Sequence, residues 1–592
     1  MKQFFKFMFA SILGVFIAFL LTFLLFLGIV FVSISLVDKK KVVDVPKKSV
    51  LHIKLDKPIS DRTSKNPFDN FDFESFKPKP ALGLNDIIDN IDKAKTDDNI
   101  KGIYLDLSLI PSGFGTIEEI RNALISFKEE SGKFIICYSE ICPQSTYYLA
   151  SVADEICLNP EGYIEFKGLI ANIPFLKGTF EKLEIEPQII RHGKFKSAVE
   201  PLILDKMSEE NREQTITYVS SIWDHLLNGI SEYRNLSVDE LNGIADSLLV
   251  SNTEDAIKYK LADKLMFKDE LLDNLRERLE LEEDDKINFM PLGKYTNAPM
   301  KKKEDGIIRD RIAIVYASGS IVSGEGKSEE IGSETISKAI RDARENDKVK
   351  AIVLRVNSGG GSALASDIIW REMILAKEVK PVVASFGNVA ASGGYYIACG
   401  ADTIVANVNS ITGSIGVFGV IFNAQKFFNN KLGITFDGVK TNDHADIGSG
   451  VRPITDTERE IIQKEIERIY DVFITHVAEG RGLTKAEVDS IGQGRIWSGV
   501  DAKRIGLIDV LGGLESAVEI AANMADLEDY RILELPKQKE PLEQLIEELT
   551  DEAETAILKH QLGDSYKYYR QVKSLSKMNG IQAIIPYEIE IR

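Results

Sequence analysis

The chain has 592 residues, a length that at about 150 residues per domain suggests about four folding units. Hydrophobic residues make up 44% and charged residues 28%, an ordinary globular composition that excludes collagen, low-complexity disorder and a polytopic transporter. Its 91 acidic against 72 basic residues leave a net charge of -19, which argues against a nucleic-acid partner, since binding phosphate calls for a basic surface.

Residues 7–37 carry no charge. Spanning a bilayer takes about 20 apolar residues, and a cleaved signal peptide has a core of only about 7–15, so residues 1–40 are expected to form a membrane anchor with one transmembrane helix. Lys2 and Lys6 precede the run and Lys39, Lys40 and Lys41 follow it, so charge does not decide its orientation. No second run of that length occurs, and everything after residue 40 lies on one side.

The rest of the chain repeats itself with a period of about 248 residues. Tyr147-Tyr148-Leu149-Ala150 echoes Tyr395-Tyr396-Ile397-Ala398, Ala153-Asp154 echoes Ala401-Asp402, and Leu261-Ala262-Asp263 resembles Leu507-Ile508-Asp509. That period is too long for a solenoid unit and reads as two tandem domains, 41–290 and 311–535, joined by a polar linker at 291–310 and followed by a charged, helical tail at 536–592. In the second copy, residues 311–316, 351–356 and 381–385 read as buried strands, with helical spacing over 333–346, 366–376 and 457–478. Strands alternating with helices indicate an α/β fold with parallel sheets and crossover helices.

Two glycine clusters follow strands of the second copy: Asn357-Ser358-Gly359-Gly360-Gly361-Ser362, and Ala390-Ala391-Ser392-Gly393-Gly394-Tyr395-Tyr396 after a strand ending near Phe386. Ligands of open α/β sheets bind at the carboxyl ends of strands, and glycines let the backbone approach and offer N–H groups to an anion. Each cluster also reads as a tight strand-to-helix turn. Neither matches G-x-x-x-x-G-K-[ST] or G-x-G-x-x-G, so a phosphate loop is not expected. The small residues flanking Ser392 suggest an exposed turn. The four cysteines and six histidines form no C-x-x-C or H-E-x-x-H pattern, so neither a disulfide scaffold nor a metal site is expected.

Together with Thr412-Gly413-Ser414-Ile415-Gly416, these motifs resemble the signal peptide peptidase A family, also called protease IV, in its long two-repeat form. The resemblance implies two tandem Clp/crotonase-like repeats and a serine–lysine dyad. It gives Ser392 the place of the nucleophile at the start of a helix. The N–H of Gly393 and one from Gly360 or Gly361 would form the oxyanion hole, and Ser414 would orient the base. Lys196, in Gly193-Lys194-Phe195-Lys196-Ser197-Ala198-Val199-Glu200-Pro201, holds the base position; Gly359 departs from the family's usual proline. The resemblance further implies peptide substrates, namely released signal peptides and other unfolded apolar segments. No cofactor is expected. A homotetramer in the bacterial inner (cytoplasmic) membrane is implied, single-pass, with its catalytic part extracytoplasmic or periplasmic.

A lysine serves as base when burial and neighbouring cations lower its pKa from about 10.4 toward about 7–8. Arg191, His192 and Lys194 would supply such cations, and Glu200 would oppose them. On the residues alone the run also reads as a solvated basic loop, and Lys194 or Lys440 become rivals if the alignment slips. At the Ser392 register the first copy has Gln144, and at the Lys196 register the second has Ala445. One copy keeps the base and the other the nucleophile, so a single site across the repeats is expected. A crotonase-like acyl-CoA enzyme and an inactive membrane scaffold are the alternative readings.

Overall fold

A short β-branched run such as Ile-Ala-Ile-Val, apolar on every residue, suits a strand covered on both faces, and each repeat is built around strands of that kind. A computed structural model describes residues 2–37, 42–65, 71–72, 77–78, 82–282, 284–299, 308–327, 330–538, 581–585 and 590–591. Lys2–Val37 is one α-helix, and its stretch Gln3–Thr22 is long and apolar enough to cross a bilayer.

The first repeat holds a parallel sheet ordered Asn288–Pro291, Ser49–Ile53, Ile100–Leu107, Phe134–Cys142, Glu155–Ile164, Lys264–Leu265. In the second, Arg531–Leu535, Arg311–Ser318, Val349–Ser358, Val382–Ala391, Thr403–Ala406 and Val510–Leu511 follow one another in the same parallel order. Crossover helices cover the sheets with apolar stripes at helical spacing. Leu84–Thr96 buries Leu84, Ile87, Ile88, Ile91 and Ala94, and Ser333–Glu345 buries Ile336, Ala339, Ile340 and Ala343.

The duplicated aspartates do the same work in both copies. Asp154 accepts from the Ile135 N–H at 2.8 Å and Asp402 from that of Val382 at 2.9 Å. Asp263 accepts from Ile156 and Asp509 from Ile404, each at 2.8 Å. Each pins the start of a neighbouring strand.

Two stretches differ from the sequence reading. Residues 291–299, polar and expected as linker, belong to the first repeat: Asn288–Pro291 is its edge strand, and the buried Tyr295 donates to Asp97 at 2.9 Å. The rest of the proposed linker lies mostly outside the described residues. So does most of the tail, and what is described beyond residue 580 is strand rather than helix, Ile581–Ile584 and Glu590–Ile591.

A third sheet joins the repeats. Its order is Glu330–Gly332, Ser320–Val322, Gly360–Ser362, Ile581–Ile584, Phe418–Asn423, Glu186–Arg191. The last of these comes from the first repeat and runs antiparallel to Phe418–Asn423 of the second, from Arg191 opposite Phe418 to Glu186 opposite Asn423.

Candidate active site

Val382–Ala391 runs ten residues, beyond the end near Phe386 that the sequence suggests, because Ile411–Gly413 pairs with Val389, Ala390 and Ala391. The chain then turns sharply into the short helix Gly393–Tyr396. Ser392 makes the turn with φ 55° and ψ -116°, a conformation costly for any residue with a Cβ. Backbone bonds hold it there: its N–H donates to the Gly413 carbonyl and its carbonyl accepts from the Tyr396 N–H, both at 2.8 Å. The side chain is wholly buried, not on an exposed turn.

Lys196 arrives from the first repeat directly after the strand Glu186–Arg191. Its loop is tied to the second repeat by the Phe195 N–H donating to the Gln493 carbonyl at 3.1 Å. Gln214 donates to Ser197 Oγ at 2.7 Å and accepts from the Ile496 N–H at 3.1 Å. Gly494, at φ +85°, packs so closely that a Cβ there would fall 2.6 Å from the Lys196 backbone. The buried Nζ donates to Ser392 Oγ at 2.8 Å, to Ser414 Oγ at 3.1 Å and to the Ser414 carbonyl at 3.2 Å. Among the described residues it meets no carboxylate, and burial pushes its pKa down to about 7.

Burial, one of the two expected causes, lowers the amine without help from the other, the neighbouring cations. Arg191 donates to the Lys196 carbonyl at 3.1 Å, His192 stacks on Tyr470, and Lys194 is exposed. Glu200 faces elsewhere, accepting from Asn211 at 2.9 Å. The rival Lys440 is occupied away from the serine, pairing with Asp446 at 3.0 Å. Gln144, in the serine's register, is tied to Gly168 at 2.7 Å, while Ala445 lies in an exposed loop.

The two glycine clusters meet. A Cβ on Gly360 would lie 2.7 Å from the Gly393 nitrogen, and Gly360 itself has φ +102°, so position 360 needs glycine. The Gly360 N–H donates to Ser358 Oγ at 3.0 Å, which leaves Gly361 and Gly393 as the candidates of the cluster for holding an oxyanion.

Beneath the first cluster lies an ion network that the sequence reading does not include. Arg355, wholly buried, donates to Asp61 at 2.8 Å and to Glu119 at 2.7 Å, both on the first repeat. Glu119 also accepts from the Leu514 N–H at 2.8 Å. Burial alone would raise the Asp61 carboxyl and lower the Arg355 guanidinium, but their attraction more than offsets it, so Asp61 is held low and Arg355 high. Nothing in the local pattern around Asp61 or Glu119 signals this contact. Gly494 had a faint signal, the paired glycines of Gly492-Gln493-Gly494.

Comparison with known proteins agrees with the duplication. A model of peptidase family S49 matches residues 127–282 and 374–528. The chain is 37% identical over 463 residues to Protease 4 of Salmonella typhi, covering 76% of this chain and 73% of that one. It is 36% identical over 450 residues to Protease 4 of Haemophilus influenzae, covering 74% and 73%. It is 37% identical over 454 residues to the chloroplastic serine protease SPPA of Arabidopsis thaliana, covering 76% and 66%.

Proposed function

The chain belongs to peptidase family S49 and is a serine peptidase; on that premise we propose that Ser392 is its nucleophile and Lys196 its general base. The observation that carries this reading is the 2.8 Å bond from a buried, carboxylate-free Lys196 to Ser392 Oγ. A lysine near pKa 7 is substantially neutral at physiological pH and can take the serine proton. Ser392 Oγ then adds to the substrate carbonyl carbon, and the N–H groups of Gly393 and Gly361 hold the oxyanion. Such a donor typically contributes about 3–4 kcal/mol to the transition state. Lys196 returns the proton to the departing amine, and water hydrolyses the acyl-enzyme by the same route. Ser414 fixes the direction of the amine through its hydroxyl and carbonyl.

The first 40 residues anchor the enzyme in a bacterial cytoplasmic membrane, with the catalytic repeats on the extracytoplasmic side. Released signal peptides and other unfolded apolar segments are its substrates, delivered from the bilayer to which the enzyme is tethered. A homotetramer is the proposed assembly. Covalent labelling by an acylating serine-directed inhibitor tests the chemistry: the label maps to Ser392 in the wild type and is lost in Ser392→Ala. Labelling elsewhere, or turnover of peptide by Ser392→Ala, contradicts it.

A further inference from the structure

Arg495 belongs to the second repeat, in the run Gly492-Gln493-Gly494-Arg495 that leads into the strand Ile496–Ser498. That strand runs antiparallel to Ile411–Gly413, with Trp497 opposite Thr412 and Ile496 opposite Gly413. The Arg495 carbonyl accepts from the Ser414 N–H at 2.7 Å, so its backbone already holds the serine that aims Lys196. Its side chain reaches the other repeat. The guanidinium carbon lies 4.8 Å from the centre of the Phe195 ring and 4.6 Å from that of Trp497. One of its terminal nitrogens pairs with Glu213, on the helix Glu209–Arg234, at 2.9 Å.

Phe195 is the residue before Lys196. Its N–H is fixed by the Gln493 carbonyl, and its carbonyl accepts from Gln214 at 3.3 Å. Arg495 adds the third hold, on the ring. The Arg495 Nε is buried and has no hydrogen-bond partner among the described residues, which is costly for a donor. Glu213 is more than half exposed, so the ion pair contributes little. What this side chain gains is its planar face against two aromatic rings, a contact that a guanidinium makes and an ammonium does not.

We propose that Arg495 is a positioning residue of the dyad: by stacking on Phe195 it closes the seam between the repeats and fixes the approach of Lys196 to Ser392. The inference rests on the Ser392–Lys196 reading. What faces the amine is uncharged: Ser392, Ser414, the Phe418 ring at 5.9 Å, and backbone at Gly416 and Gly494. The charged and titratable groups around its loop are Arg191, His192, Lys194 and Glu200 on its own segment, Glu213 on the helix, and Tyr470, Asp489 and Arg495 on the second repeat. Among the described residues Nζ bonds to none of them. Its pKa is low through burial, so water admitted beside Phe195 would favour the charged form and raise it.

The test is the pH dependence of kcat and KM for one fluorogenic peptide, using the detergent-solubilised full chain as wild type, Arg495→Ala and Arg495→Lys, with circular dichroism and Tm read on the same preparations. Arg495→Ala is expected to move the inflection of kcat/KM from about 7 upward by about one pH unit. At pH 7 its kcat should fall about fivefold, recovering toward the wild-type plateau above about pH 9, with KM little changed. Arg495→Lys keeps the charge but not the planar face and is expected to show the same shift. Phe195→Leu removes the ring and leaves Arg495; it should shift the inflection in the same direction, and it carries the test if Arg495→Ala does not fold. A wild-type inflection in Arg495→Ala with only the Tm lowered overturns the proposal, since a merely structural residue would behave that way. A wild-type profile in Arg495→Lys beside a shifted one in Arg495→Ala also overturns it, because the charge and not the stack would then be responsible. An inflection that persists in Lys196→Met instead removes the dyad reading, and the proposal with it.

Discussion

Lys196 Nζ and Ser392 Oγ lie 2.8 Å apart although 196 positions of chain separate them. The contact crosses from one repeat to the other, so its geometry depends on how the strand Glu186–Arg191 is seated against Phe418–Asn423 as much as on either loop.

Ser392→Ala is expected to lower kcat/KM by orders of magnitude while leaving the fold intact. The positive φ at this position adds a finer expectation. Ser392→Gly should be equally inactive but more stable than Ser392→Ala by about 1–2 kcal/mol, because glycine removes the strain. Urea denaturation of the two variants makes the comparison, and equal midpoints would contradict the strain.

Lys196→Met should stabilise the protein. The folded amine titrates at about 7, against 10.5 ordinarily. Between those values the unfolded chain holds a proton that the folded chain lacks, so stability rises with pH through that window. At and below the folded value the buried amine costs stability, roughly 4–5 kcal/mol at most. The Tm of Lys196→Met should therefore exceed that of wild type near neutral pH, and the gap should close toward about pH 10.

Ser414→Ala removes one of the acceptors that aim Lys196 and leaves the Ser414 carbonyl. The loss of one neutral hydrogen bond, about 1 kcal/mol, should lower kcat about five- to tenfold with KM little changed. A steady-state comparison on one peptide checks it.

Arg355→Met leaves Asp61 and Glu119 buried without their counter-charge. Breaking a buried pair in this way costs about 3–5 kcal/mol. Because the network joins the repeats and reaches Asn357 of the first glycine cluster, peptidase activity should fall at temperatures below the Tm of the variant. Thermal unfolding and activity measured in parallel read both effects.

Much of the fold is written locally. The apolar strands alternate with amphipathic helices, and the recurrence of Asp154 as Asp402 and of Asp263 as Asp509 reflects identical bonds to strand backbones. Ser392 and Lys196 were singled out by resemblance to the family's motifs, since on its own residues the lysine run also reads as a solvated basic loop; the structure brings the two side chains within 2.8 Å. The burial of Ser392 was not legible, because what lies beside it is a strand from the far end of the chain, whose neighbours suggest a helix. Burial was expected to lower the lysine's pKa, but its source was not legible: the cations beside Lys196 in sequence point elsewhere in space, and the burial comes from distant segments around Gly416 and Gly494. Arg355, Asp61 and Glu119 form a long-range contact that no local spacing encodes.

The most direct test of the split dyad is the pH dependence of kcat/KM for peptide hydrolysis, measured for wild type and Lys196→Met. The wild-type rate should rise with pH and level off above an apparent pKa of about 7, as the buried amine loses its proton. Lys196→Met should lose about 10²–10⁴ in rate, and that inflection with it. A Lys196→Met enzyme that keeps both the wild-type rate and the wild-type inflection would contradict the assignment of Lys196 as the base.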